Sequence, residues 1–237
     1  MFKRGHCAVN QKSQFRLTTL LRSLGWSLAP ATCLLCDSPG LARDIDLCSH
    51  CAATLPPAQP PLRMGAAPIN WVYCPWNYQY PVDQLVRALK FHGDRTGARV
   101  LGTLLARSRR ALALPLPELL IPVPLHPRRL RERGYNQAAE IARFAARECG
   151  IACAAHRLRR VRATAEQSHL SARERRHNPE AAFAATRPCG GLRVALVDDV
   201  MTTGSTARAA AMALAAAGAA AIELWVLATA IVQRRSA

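Results

Sequence analysis

The segment PVDQLVRALKFHGD places Val82, Leu85, Val86 and Leu89 about one helical turn apart, with polar residues between them. That spacing predicts an amphipathic helix, with Pro81 suited to its first turn and Gly93 just past its end. A second helix is expected over Arg99 to Leu112. ELLIPVPL is a short apolar run that ends in prolines, the pattern of a buried strand stopping at a sheet edge. HPRRLRERG reads as a basic loop, and YNQAAEIARFAARECG as the helix after it, closed by Gly150. GLRVALVDD is a further apolar run, followed by a helix over Ser205 to Ala217 and the strand IELWVLATAIV. Strands alternating with helices argue for an α/β fold, a parallel sheet flanked by helices. In such sheets ligands gather at the carboxyl ends of the strands.

Towards the N-terminus the pattern changes. QFRLTTLLRSLGWSLA spaces Phe15, Leu17, Leu20, Leu21, Leu24 and Leu28 as a docking helix would. LPPAQPPLRMGAAP has prolines and no period, so it reads as a linker. The expected divisions are an extension with the docking helix over 1–29, a cysteine-bearing module over 30–56, the linker over 57–69 and the α/β domain over 70–237. Trp71, Tyr73, Trp76, Tyr78 and Tyr80 alternate as a half-buried strand does. The polar, arginine-rich 160s and 170s read as a loop or a helical excursion.

Charge narrows the partners. The 237 residues carry a formal net charge of +17, which favours polyanions such as nucleic acid, phosphorylated metabolites or an acidic surface. Arginine and alanine abundance also follows from a GC-rich genome, so the charge by itself assigns no partner. The arginines cluster as Arg128, Arg129, Arg131 and Arg133, then Arg157, Arg159, Arg160 and Arg162, then Arg173, Arg175 and Arg176. Ala209 to Val232 resembles a membrane span, but Glu223 and Gly218 interrupt it; it reads as a helix, a turn and a buried strand. Arg16 and Arg22 break the apolar runs after Lys3 and Arg4, so no signal peptide is expected and the cytoplasm is the expected compartment.

Nine cysteines are an odd number, and four of them form the pairs Cys33-Cys36 and Cys48-Cys51, eleven residues apart. Two thiolate pairs at that spacing can close a tetrahedron around Zn²⁺ with no open position, a structural site. His50 lies inside the second pair and is expected to face solvent. Cys7, Cys74, Cys149, Cys153 and Cys189 show no ligand grouping and read as small buried residues.

VALVDDVMTTGST, Val194 to Thr206, runs from four apolar residues into two carboxylates and then into a hydroxyl-rich loop around one glycine. A core has no use for two adjacent charges; a strand edge has. Read as chemistry, Asp198 and Asp199 emerge where a buried strand ends. Thr202, Thr203, Gly204, Ser205 and Thr206 then turn the chain into a helix whose open amides and dipole suit a phosphate. The carboxylates can accept from vicinal hydroxyls or hold a metal through water. No G-x-x-x-x-G-K-[ST] occurs in the chain, which excludes a Walker-type nucleotide site.

The stretch resembles the phosphoribosyl pyrophosphate (PRPP) signature of type I phosphoribosyltransferases, and that resemblance implies Asp198 and Asp199 on the ribose hydroxyls and Thr202 to Thr206 on the 5′-phosphate. With the cysteine pairs, VDQLVRALKFHGD, PVPLHPRRLRERGYNQ and AEQSHLSARERRHNPEAAF, it widens to the ComF family of competence-related proteins, a zinc module joined to a phosphoribosyltransferase domain. The family implies PRPP with Mg²⁺, and a loop after the ELLIPVPL strand that approaches pyrophosphate. There Arg128, Arg129, Arg131, Arg133, Asn136 and Gln137 are the candidate contacts. It also implies a flexible loop over Gln167 to Phe183. An acceptor-binding hood is not recognisable. Phosphoribosyl transfer to an unidentified acceptor and a non-catalytic nucleic-acid-binding role in DNA uptake, with the PRPP site used for sensing or docking, therefore both stay open; single-stranded DNA is a candidate partner for the second, although aromatics at 5% give it little stacking surface.

Overall fold

In a computed structural model, the described residues are 31–40, 45–91, 95–161 and 182–230. The docking helix expected over 13–28 lies outside them, as do Cys7, residues 167–181 of the expected flexible loop, and Arg162, Arg173, Arg175 and Arg176. The chain divides into two compact units between Ala52 and Ala53.

In the first unit, Thr32 and Pro39 bridge across a tight turn that presents Cys33 and Cys36, with Cys33 N donating to Ser38 O at 2.7 Å. Ile45 and Leu47 are fully buried beside Cys48, and α1 (Ser49–Ala53) carries Cys51.

The second unit is built on a sheet. Its elements are β1 (Leu62–Met64), β2 (Trp71–Tyr73), β3 (Trp76–Asn77), α2 (Val82–Phe91), α3 (Arg95–Arg110), β4 (Leu119–Pro122), α4 (Pro127–Arg133), α5 (Gln137–Cys149), β5 (Ala152–Cys153), β6 (Leu158–Arg160), β7 (Phe183–Ala185), β8 (Arg193–Met201), α6 (Ser205–Ala216) and β9 (Ala221–Thr229). Among the described residues the main sheet runs β1-β2-β9-β8-β4-β5, with β3 beside β9. All its pairings are parallel except β1 with β2. β6 and β7 form a separate antiparallel pair. The expected parallel sheet flanked by helices is thus what the chain forms.

Burial on both faces explains why β4 and the central parts of β8 and β9 read as near-continuous apolar runs. Val194 and Leu196 share one cluster with Ala207, Ala210, Ala211 and Leu214 of α6 and with Leu158 and Phe183 of the β6–β7 pair. Strand alternation turns Ala195 and Val197 to the other face, where α5 packs on β4 and β8 and α3 packs on α5. The two long helices meet closely: a Cβ added at Gly102 would stand 2.6 Å from Ile141 O.

Four expectations change. HPRRLRERG is a helix, not a loop: His126 caps it by accepting from Arg128 N, Pro127 opens it, and Gly134 closes it at φ 79°. α5 accordingly starts at Gln137, with Asn136 as its cap rather than within it. The supposed linker contains β1, because Leu62 to Met64 keep their amides between proline-rich flanks and pair with β2. β8 runs on through the two aspartates to Met201, held by β9 alone once β4 ends opposite Val197. Glu223, the charge inside the apolar C-terminal run, pairs with Arg109 Nη2 at 3.1 Å and accepts from Trp225 Nε1 at 2.7 Å. The aromatic run follows its expected alternation in part, with Trp71 half-exposed and Tyr73 and Trp76 buried.

Candidate functional site

The strand order places the site. From β4 the chain passes through α4 and α5 to β5 on one side; from β8 it passes through α6 to β9 on the other. The connections diverge between β4 and β8, and the crevice at such a switch point is where open α/β sheets hold ligands. The β8–α6 junction forms one wall of it, and the β4–α4–α5 segment forms the other.

At the junction Gly204 takes φ 75°, a conformation that L side chains rarely adopt, and turns the chain straight into α6. Gly204 has no side chain to cap α6, Thr203 Oγ1 accepts from Ser205 N only at a long 3.4 Å, and no acid sits in the first turn. The opening turn, with its weakly held Ser205 amide and its positive dipole end, therefore suits an anion. Thr202 and Thr203 are exposed, Gly204 to Thr206 are half-buried, and Thr203 Oγ1 lies 3.1 Å from Ser205 Oγ.

The two aspartates differ. Asp199 is buried: its Oδ1 accepts from Val200 N at 2.7 Å, and its Oδ2 meets Lys90 Nζ at 3.0 Å and Gln137 Nε2 at 3.2 Å. Asp198 is half-buried and accepts from Asp199 N at 2.9 Å. Burial, and then the neighbouring Asp199 charge, push its carboxyl up to about 8, while Lys90 acts in the opposite sense. Arg160 of β6 stands close enough to feel both Asp198 and Arg129; burial holds its pKa below the usual guanidinium value.

On the facing wall, Arg133 Nη1 donates to Gln137 Oε1 at 2.7 Å, which links α4 to the acid pair. Asn136 caps α5 by accepting from Ala138 N, and its Nδ2 donates to Val123 O at 3.0 Å, fixing the helix to the end of β4. Tyr135 OH donates to Leu89 O, beside Lys90. Arg128 and Arg131 lie on exposed α4, where Arg128 pairs with Glu132 at 2.9 Å. The structure thus brings Asp198, Asp199, Arg133, Asn136, Gln137 and the 202–206 turn to one end of the sheet and leaves Arg128 and Arg131 at its periphery. Lys90 and Arg160 were not expected there. Each looks like an ordinary polar position in its own segment, and only the fold supplies its partner.

In the first unit, the Sγ atoms of Cys33, Cys36, Cys48 and Cys51 all lie within 4.8 Å of one another. Cys36 is 3.6 Å from both Cys48 and Cys51. Thiolates about 2.3 Å from a tetrahedral metal would stand about 3.8 Å apart, so the donor set fits one soft ion. The remaining described cysteines stand outside this cluster: Cys74 and Cys189 are buried as expected, Cys149 is half-buried and Cys153 is exposed. His50 is exposed, also as expected. Among the described residues no helix is long and apolar enough to cross a membrane.

A scan of protein-family profiles finds no match. Among solved structures, the glutamine PRPP amidotransferase from B. subtilis complexed with ADP and GMP aligns at 23% identity with a TM-score of 0.38, over 53% of this chain and 25% of that one. Curated sequences lie nearer. DNA utilization protein YhgH of Salmonella typhi is 36% identical over 219 residues, 84% of this chain and 96% of that protein. The Escherichia coli (strain K12) protein of that name is 33% identical over the same shares. Competence protein F of Haemophilus influenzae is 38% identical over 161 residues, 65% of this chain and 70% of its own length. At that identity over almost the whole length of the YhgH proteins, the chain belongs to the ComF family, that of DNA utilization protein YhgH and competence protein F.

Proposed function

We propose that this protein binds PRPP with Mg²⁺ in the crevice between the carboxyl ends of β4 and β8. One observation carries the reading: at the reversal of strand order, a strand bearing two acids passes through a glycine turn into the hydroxyl-lined N-terminus of a helix. The amides at the start of α6 and the hydroxyls of Thr202, Thr203, Ser205 and Thr206 take the 5′-phosphate. The acid-bearing end of β8 meets the ribose hydroxyls, and a carboxylate there suits Mg²⁺, which keeps most of its waters and neutralises the diphosphate. From the facing wall, Arg129 and Arg133 offset the remaining negative charge, with Asn136 and Gln137 holding that wall in place. In the first unit, the four cysteines hold a structural Zn²⁺.

The test is thermal. PRPP with Mg²⁺ at millimolar concentration is expected to raise the melting temperature; saturation to a hundred times Kd corresponds to about 2.7 kcal/mol. Asp198→Asn should remove the rise. No rise with the unmutated protein would overturn the reading. Transfer is a further step, and only pyrophosphate release that depends on an added acceptor base or amine establishes it.

A second reading has its own support in α4, which buries none of its residues and presents Arg128, Arg129 and Arg131 to solvent, and in the names of the relatives, DNA utilization protein and competence protein. Here the basic helix binds single-stranded DNA through phosphates, beside the PRPP site. Affinity should then fall steeply between low and moderate salt, and Arg128→Ala with Arg131→Ala should flatten the slope. A flat response in the unmutated protein rules this reading out.

A further inference from the structure

The two signature acids are adjacent in sequence, yet their surroundings are unequal. Asp199 has both oxygens engaged inside the protein: Oδ1 by the Val200 amide, Oδ2 by the Lys90 ammonium and the Gln137 amide together. Its side chain is 8% exposed, against 25% for Lys90. The clamp is braced from both sides. Gln137 is itself fixed by Arg133, and the α2 turn that carries Lys90 is tied through Leu89 O to Tyr135. At Oδ2 a pentose hydroxyl would compete with an ammonium in direct ionic contact, and Oδ1 is turned to the strand's own amide. Asp198 is held only by its neighbour, through the Asp199 amide and side chain, meets no cation directly among the described residues, and is the more exposed of the two acids.

We infer that Lys90 is a positioning residue of this site: with Gln137 it holds Asp199 as a fixed internal ion pair, leaving Asp198 as the one carboxylate that meets the sugar. The inference rests on the PRPP reading for the identity of the sugar; the clamp itself stands on the geometry. It gives the acid pair two separate tasks. Asp199 locks α2 and α5 to the end of β8, and Asp198 recognises hydroxyls. A buried carboxylate keeps its charge at low cost only while its cation stays in place, so removing Lys90 should loosen the site without altering which sugar it prefers.

Ribose 5-phosphate and 2-deoxyribose 5-phosphate are the probes, because they share a phosphate and differ in one hydroxyl. Affinity for each, by calorimetry, and the ligand-free melting temperature are measured for the unmutated protein and for Asp198→Asn, Asp199→Asn, Lys90→Met and Lys90→Arg. Asp198→Asn should cut ribose 5-phosphate affinity about ten- to hundred-fold, the scale of a charged hydrogen bond, and collapse the ribose over deoxyribose preference. Its ligand-free melting temperature should not fall. Asp199→Asn and Lys90→Met should each lower the ligand-free melting temperature and weaken both sugars alike, keeping the preference. Lys90→Arg should restore most of both quantities.

Loss of the preference in Asp199→Asn with unchanged stability would overturn the inference, since Asp199 would then be the acid that reads the sugar. So would a Lys90→Met variant that matches the unmutated protein in every measurement. If the unmutated protein binds neither sugar phosphate nor PRPP, the ligand reading fails and the assignment of Asp198 fails with it. The clamp is then decided by the ligand-free double-mutant cycle of Lys90→Met with Asp199→Asn, where coupling supports it and additivity overturns it.

Discussion

Asp198 sits half-buried near a strand end beside a second acid, and that has a measurable consequence. Its carboxyl is raised from 3.8 to about 8, by burial first and by Asp199 second. The unfolded chain ionises this group at the lower value, so between the two values the folded state holds more protons, and stability must fall as pH rises through that window. In the ligand-free protein, melting temperature should therefore decline between about pH 5 and 8 relative to Asp198→Asn. Parallel curves for the two proteins would mean that the folded state does not retain this proton. The placement of the pair near the end of a buried strand was legible in sequence, because a doublet of acids after an apolar run has few uses other than a strand end. The inequality between the two acids was not. It is set by Lys90 and Gln137, whose separation from Asp199 along the chain hides the contact until α2 and α5 dock.

At the level of elements, the helices and long strands were readable from period alone, with ends shifted by a few residues: α3 spans Arg95–Arg110 where Arg99 to Leu112 was expected. What escaped was short. β1, β3, β5, β6 and β7 have two or three residues each, too few to show a period, and exist because a neighbouring strand supplies their partners. α4 escaped differently: its Pro127 and Gly134 were visible signals, outweighed by the density of arginines. The α3–α5 contact yields a test that sequence propensity would answer wrongly. Alanine is better than glycine inside a helix by about 1 kcal/mol. At position 102, however, the new methyl would stand 2.6 Å from Ile141 O and 3.0 Å from Phe144 Cβ. Overpacking of that kind costs about 1 to 3 kcal/mol, so Gly102→Ala should destabilise in urea denaturation despite its helix propensity. A stabilised variant would contradict the close approach.

Taken as a whole, the chain joins two ways of becoming stable. The second unit has an extensive apolar core. Among the described residues of the first, Ile45 and Leu47 are buried beside the four cysteines, and a metal held by those thiolates would add to the stability of that segment. Metal analysis of protein purified without chelator should return about one zinc per chain, as a closed four-thiolate site requires, and Cys48→Ser should lose it along with protease resistance in that segment. Less than a tenth of an equivalent would count against the site. In the second unit, the ladder on the β4 side of β8 stops where Val197 O accepts from Val123 N, and the Asp199 amide just beyond is taken up by the Asp198 carboxyl. A side chain thus finishes what a missing strand would have done. Alanine at 198 would strip that acceptor from the backbone and spoil the edge itself; asparagine keeps an oxygen there, and only it can tell a lost recognition group from a frayed sheet.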